Sequence, residues 1–416
     1  MSSKDLQAAY KRVLADRFPP TMEISFLDGS RRQTLVYERV QWTVAGEKQG
    51  LRYGENPGQE AALYKLINGS LTIGNVTTIA PGRGLTSDLE LLRSGKHPGK
   101  TNLTDVDSAL TILRGLSDRP SAVVIKHNNP SGVGRGSSAE QAYTRAYDAD
   151  SIAAFGGAVA VNRPVDRATA EAVASAYCEV VAAPDYEDGT VEILARRKNL
   201  RVMRIGAMDS LETYSHERVV EFKSLLDGGI VAQLSYQSRV QDKADLIIPE
   251  AVRDGVTYTV ERAPTAAELD AMLFGWKIQA GIISNSVIFV DQDRSLGIGA
   301  GEQDRVGVAE IARDKAYSRH RERTARRRYG KSFADLDNDA GEEIRAAVAA
   351  ERAELPGSAM VSDGFFPFRD GVLVGLREGV ASILQPGGSL RDWEVIQAVN
   401  EYNTAMMFTG ERVFRH

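Results

Sequence analysis

The sequence predicts an α/β protein whose sheets carry helices on both faces. Short apolar runs such as 122–125 and Val180–Ala183, too short for helices and bounded by turn residues, read as buried strands. Between them lie segments with apolar residues at helical spacing, and this alternation is the mark of layered α/β architecture. The third observation is length: 416 residues suit roughly two to three folding units, and 43% hydrophobic with 26% charged residues is ordinary globular composition.

In chain order, residues 4–18 predict a first helix ended by Pro19-Pro20, because proline disfavours helical geometry in the residue before it. A polar extended segment follows, then short strands at 33–42 and 61–64 separated by the loop G-L-R-Y-G-E-N-P-G-Q. A glycine-rich turn at 81–84 precedes a helix over 105–116, which leads into the strand 122–125. The phrase K-H-N-N-P-S-G-V-G reads as a loop, followed by a helix over 138–149 capped by Ser137 or Ser138. A strand at 152–161, a helix at 166–176 and a strand at 180–183 complete the first unit, set at 1–207.

The second unit, 208–416, opens with strands from Gly228, a helix at 266–279 and strands at 286–290 and 296–299. Residues 302–355 are helix-forming and strongly charged, with few large apolar side chains; 310–355 reads as a charged helical insert. Its basic run R-H-R-E-R-T-A-R-R-R is followed closely by acidic residues, which favours a solvated or partner-packed helix over a nucleic-acid footprint. Strand-like 362–370, a strand at 379–384, a helix at 391–402 and a strand at 405–409 close the chain, with no fixed-period repeat.

Composition narrows the chemistry. A net charge of -5 provides no whole-chain field for nucleic acid or anionic lipid, so any anion site is local. The single cysteine, Cys178, forbids an intrachain disulfide framework and multi-thiolate metal sites. With five histidines and neither the H-x-E nor the P-C-x-x-C phrase of zinc deaminases, no catalytic metal is expected. No apolar run reaches the ~18 residues of a membrane span, and the N-terminus lacks a signal-peptide apolar core. A cytoplasmic setting is expected.

The sharpest local signal is Lys126-His127, placed after an apolar strand where ligands collect in open α/β sheets. An imidazole can accept a proton near neutrality, and a neighbouring ammonium can stabilise developing negative charge. For the dipeptide alone, a capping histidine beside a surface lysine is the favoured reading, since the turn residues Asn-Pro-Ser-Gly need no catalytic reason. Arg52-Tyr53 sets a guanidinium fork for phosphate or carboxylate beside a ring that can pack a flat heterocycle; an ordinary polar loop has the same composition. The stretch G-I-G-A-G-E-Q-D-R, 297–305, is similar to a phosphate-cradling loop ending in Arg305 but lacks the spacing of either nucleotide fingerprint.

Taken in order, R-Y-G-E-N-P, K-H-N-N-P-S-G, A-F-G-G-A-V-A, S-N-S-V, G-I-G-A-G-E-Q-D-R, S-D-G-F-F-P-F-R-D, Q-P-G-G-S-x-R-D and T-G-x-R-x-F-R-H resemble one family, the AICAR transformylase part of the bifunctional purine biosynthesis enzyme. The resemblance implies formyl transfer from 10-formyltetrahydrofolate to the 5-amino group of AICAR ribonucleotide, giving FAICAR. It implies two cytidine deaminase-like three-layer α/β/α domains without the zinc site, and a homodimer with sites at the interface. Lys126, His127 and Asn285 match the family's catalytic residues. Arg52, Tyr53, Asn102, Gly156, Glu179, Arg305, Phe365, Asp370 and Arg412 match residues that hold substrate, with K-T-N-L-T-D around Asn102 divergent.

Ser131 stands where the family has cysteine, Gly58 replaces its usual histidine, and the charged stretch 319–351 has no clear counterpart. Only about 50 residues precede R-Y-G, too few for a cyclohydrolase domain, so ring closure to IMP is not expected and a separate IMP cyclohydrolase is. Two alternatives to this enzyme are a catalytically silent AICAR-binding regulatory protein and the same reaction with formyl phosphate as donor.

Overall fold

The computed structural model describes residues 17–74, 76–77 and 84–416. The helix expected over 4–18 and the turn at 81–84 lie largely outside them. The described residues form two compact units, one of those up to 110 with 157–237, the other of 111–156 and 238–416.

In the first unit, Thr21–Asp28 and Arg31–Arg39 form an antiparallel hairpin that Tyr64–Gly69 extends to three strands. The polar stretch after Pro20 is thus a strand. Its faces are mostly exposed, so the apolar alternation that marks a half-buried strand is missing. Strands Ala158–Val161, Val180–Ala183 and Arg201–Arg204 run parallel, and Glu90–Arg93 joins Arg201–Arg204 antiparallel. All residues of Ala158–Val161 and Val180–Ala183 are buried, which explains their continuous apolar sequence. Helix Arg167–Ser175 starts at Asp166, whose side chain accepts from Thr169 N.

In the second unit, Ser121–Lys126 and Asn129–Arg135 form a hairpin. The phrase K-H-N-N-P-S-G-V-G is therefore a turn and a strand, rather than one long loop. Its glycines read as loop punctuation but serve close packing: a Cβ on Gly132 would stand 1.9 Å from Ala146 O, and one on Gly134 2.5 Å from Ala142 O, on helix Ala139–Ala149. Ser138 caps that helix by accepting from Gln141 N.

Five strands form the unit's main sheet, with Ser295–Gly299 at one edge, then Val287–Val290, Ala359–Ser362, Ser382–Gln385 and Ala405–Phe408. The last three are parallel. The segment 362–370, read as strand-like, instead leaves the sheet and begins helix Arg369–Leu376. Gly297 and Gly299 belong to the edge strand, so G-I-G-A-G is no phosphate-cradling loop. A Cβ on Gly297 would stand 2.1 Å from Ala312 O, and one on Gly299 2.2 Å from Val308 O, both on helix Arg305–Tyr329.

That helix is the charged stretch, and it is a core element. Val308, Ala309, Ala312 and Ala316 join Ile344 and Val348 of helix Asn338–Ala350 in the hydrophobic core. Small residues let the backbones approach, which is why few large apolar side chains are needed. Further along, ion pairs tie it down: Arg323 reaches Glu354, a carboxylate that Arg294 of the edge-strand hairpin also reaches.

The element order repeats. Helix Lys100–Leu113, the hairpin, helix Ala139–Ala149 and three strands with intervening helices are followed by helix Ala266–Gln279, a hairpin, helix Arg305–Tyr329 and three strands with intervening helices. No helix among the described residues is long and apolar enough to cross a membrane.

Candidate active site

Lys126 ends its strand and pairs with Asn129, so the hairpin turns through just two residues, His127 and Asn128. Their φ values are 54° and 61°, both left-handed, as the two-residue turn matched to strand twist requires. Histidine and asparagine tolerate this region better than most side chains. His127 is exposed and Lys126 half-buried. Lys126 Nζ donates to Phe155 O at 2.7 Å, which places the ammonium beside Gly156, itself at φ 76°.

Asn129 Oδ1 accepts from Ile283 N at 3.0 Å. His127 and Asn285 each lie two residues along the chain from this bond, and two residues span at most ~7 Å. The turn and the S-N-S-V segment are therefore neighbours.

Asn285 is held from both ends of its amide. Its Oδ1 accepts from Arg305 Nη2 at 2.7 Å, and its Nδ2 donates to Gln303 O at 2.9 Å, which commits one of two hydrogens. Arg305 is 9% exposed and opens its helix. Its Nη1 pairs with Asp363 and donates to Ser362 Oγ at 3.1 Å and Ser286 O at 3.2 Å. Asp363, fully buried, also accepts from Ser284 Oγ at 2.6 Å and Ser286 N at 3.0 Å. The glycine at 364 is required by this packing, since a Cβ would stand 2.5 Å from Arg305 Nη2.

The C-terminal segment adds a wall. Val413 N donates to Asp363 O at 3.0 Å, and Ser284 N donates to Arg415 O at 3.0 Å. Just before these anchors Arg412 is exposed, its guanidinium 4.7 Å from the Phe414 ring centre. Phe365 is 44% exposed. Exposed Asp370 accepts from Gly371 N at 2.8 Å and lines an open cavity of about 500 Å³ with Phe368, Arg369, Arg391 and Trp393.

A second cluster lies in the first unit. Arg52 is buried, with its Cζ 4.5 Å from the Tyr53 ring centre and its Nη2 donating to Tyr53 OH at 2.8 Å. Asn102 Nδ2 donates to Glu179 Oε2 at 3.1 Å. Arg201, absent from the sequence reading, completes it: 2% exposed, it reaches Glu179 Oε2 at 3.5 Å. An arginine opening an apolar strand, one strand over from Glu179, was the available signal. Burial pushes the neighbouring Cys178 thiol up to about 12, so it stays protonated near neutrality. Among the described residues no group of three or more His, Cys, Asp or Glu side chains is placed to hold a metal ion.

An α/β protein thus carries an exposed Lys-His turn beside a clamped amide, and a separate buried arginine-carboxylate cluster. Residues 6–315 match the model of the AICARFT/IMPCHase bienzyme family, and the chain belongs to it. It is 34% identical to the bifunctional purine biosynthesis protein PurH of Caldicellulosiruptor saccharolyticus over 88% of this chain and 59% of that protein. Its identity to the Magnetococcus marinus PurH is 36%, over 94% of this chain and 64% of the relative. To the Shouchella clausii PurH it is 34%, over 100% and 69%. The chain spans about three fifths to two thirds of the length of these relatives.

Proposed function

We propose that the chain transfers a formyl group from 10-formyltetrahydrofolate to the 5-amino group of AICAR ribonucleotide, releasing FAICAR and tetrahydrofolate. Family membership supports the reaction class. The observation that supports the chemistry is the Asn129–Ile283 hydrogen bond, which ties the residue after the Lys126-His127 turn to the segment that leads to Asn285.

The substrate amine is a poor nucleophile because its lone pair is delocalised into the ring and carboxamide. In this reading His127 removes its proton as nitrogen attacks the formyl carbon. The second Nδ2 hydrogen of Asn285 and the Lys126 ammonium stabilise the resulting oxyanion, each well-placed donor being worth about 3–4 kcal/mol. As the oxyanion collapses to the formamide, the C–N bond to folate breaks and the folate nitrogen takes up the proton that His127 accepted. Arg305 acts by holding Asn285. Gly156, Phe365, Asp370 and Arg412 contact substrate or folate, while Arg52, Tyr53, Asn102 and Glu179 hold the nucleotide.

The repeated element order supports a division at 207/208 into two cytidine deaminase-like domains. The active form is proposed to be a cytoplasmic homodimer with sites at the subunit interface, which light scattering would test.

Purified protein with AICAR ribonucleotide and 10-formyltetrahydrofolate should generate the absorbance of tetrahydrofolate. Turnover with formyl phosphate alone would replace the donor. Calorimetric binding of AICAR ribonucleotide with no turnover on either donor would leave a silent binder.

A further inference from the structure

We propose that Arg201 is a positioning residue for the nucleotide: it orients the Glu179 carboxylate and offsets its charge, leaving Arg52 free to attract an anionic group. This rests on the nucleotide reading of the Arg52 cluster.

The connection is continuous through hydrogen bonds. Arg201 N donates to Glu179 O at 3.0 Å, and its Nη1 reaches Glu179 O at 3.4 Å and Glu179 Oε2 at 3.5 Å. The same Oε2 takes the Asn102 amide. Asn102 Oδ1 in turn accepts from Gly99 N at 3.0 Å, at the helix start where Lys100 N donates to Tyr53 O and Arg52 N to Pro98 O. One oxygen of Glu179 is thereby tied inward while its side chain stays 39% exposed, a carboxylate presented to solvent as an acceptor.

Arg201 meets the Glu179 carboxylate, and the charge of buried Arg52 is felt at Arg201, so the three groups sum to one positive charge. Burial lowers the Arg201 pKa from its ordinary value; Glu179 opposes this and the like charge of Arg52 adds to it, so the two arginines feel each other. The Nε of each finds no acceptor among the described residues. A buried ion pair is weak evidence for a stabilising role, whereas a net positive cluster beside an acceptor suits a ligand with a phosphomonoester and hydroxyl or amino hydrogens. Without Arg201, Glu179 would cancel Arg52 and swing from its place.

The test is calorimetric titration of AICAR ribonucleotide and its unphosphorylated riboside into wild type, Arg201→Gln, Arg201→Lys, Glu179→Gln and the Arg201→Gln/Glu179→Gln double variant, with melting curves for each. Arg201→Gln should weaken the ribonucleotide about ten- to hundredfold, the scale of one charge removed from a partly buried site. The riboside should lose under about threefold, and KM for AICAR should rise while kcat holds within about threefold. Arg201→Lys should retain most affinity, and adding Glu179→Gln to Arg201→Gln should recover part of the preference for the phosphorylated ligand.

Equal weakening of both ligands, or Arg201→Lys as damaging as Arg201→Gln, would overturn the proposal in favour of packing. If Arg201→Gln fails to fold, Arg201→Lys and Glu179→Gln decide: charge coupling requires Glu179→Gln to raise the ribonucleotide-to-riboside affinity ratio, and an unchanged ratio overturns it. Wild type that ignores AICAR ribonucleotide yet binds inorganic phosphate in an Arg201-dependent way would remove the substrate assignment and leave the charge role standing.

Discussion

The two hairpins of the repeated element order are built alike and used differently. Each has a second strand with glycines at alternate positions, Gly132 and Gly134 or Gly297 and Gly299, pressed onto the backbone of the following helix. In the first hairpin the proposed catalytic groups sit at the tip, Lys126 ending the strand and His127 on the turn, exposed at φ 54°. In the second, they sit at its base: Asn285 precedes the first strand, and Arg305 follows the second as the opening residue of the helix. A turn tip presents a side chain to solvent and suits proton transfer. A hairpin base is enclosed and can clamp a donor in one orientation.

The largest expected effect separates these uses. His127→Ala should reduce turnover about 10²- to 10⁴-fold, the usual span for a general base, with AICAR binding and melting temperature unchanged. Wild-type-like kcat in that variant would strip the tip of its catalytic role. Arg305→Met should damage the base instead. Leaving fully buried Asp363 without its partner should cost about 3–5 kcal/mol in denaturant unfolding, alongside lost turnover. Intact stability in Arg305→Met would mean that the clamp is not a buried pair.

Gly132→Ala and Gly297→Ala probe what the hairpins share. Each new Cβ would collide with a helix carbonyl, so each should lose about 1–3 kcal/mol of stability. An asymmetric result would show that one hairpin can shift away from its helix. The smallest effect is acid sensitivity of the charged helix. Burial opposes ionisation of Glu354, but His320, Arg323 and Arg294 outweigh it and hold the carboxyl at about 2 against an ordinary 4.5. A depressed carboxyl contributes its stability in full above about 4.5, and that contribution fades as pH falls toward 2. The melting temperature of wild type should drop across that window more steeply than that of Glu354→Gln.

Much of the fold was legible in the sequence. The helix expected over 266–279 is Ala266–Gln279, and the run at 180–183 is the strand Val180–Ala183. Thr265 and Glu268 form a reciprocal cap at the start of that helix, and Val180–Ala183 is buried on every residue, so local chemistry and tertiary burial agree. Misreadings fall where one residue type serves two purposes. Glycine marks turns in most contexts, but Gly132, Gly134, Gly297 and Gly299 are strand residues whose missing side chains admit a helix. The core packing of the charged stretch was hard to read because its buried face is largely alanine, which carries little hydrophobic signal.

The amino-acid order determined the alternating elements, the absence of a disulfide framework and the chemistry-bearing phrases, because periodicity, capping and residue inventory are local properties. Only the tertiary structure decided what those phrases do. Arg305 is consumed by Asp363 and Asn285 inside the second unit, while Arg201, unremarkable on its strand, reaches the Glu179 carboxylate that also takes the Asn102 amide. A guanidinium's role is set by the charges and hydrogen-bond acceptors that folding brings within a few ångströms, and those neighbours lie tens of residues away along the chain.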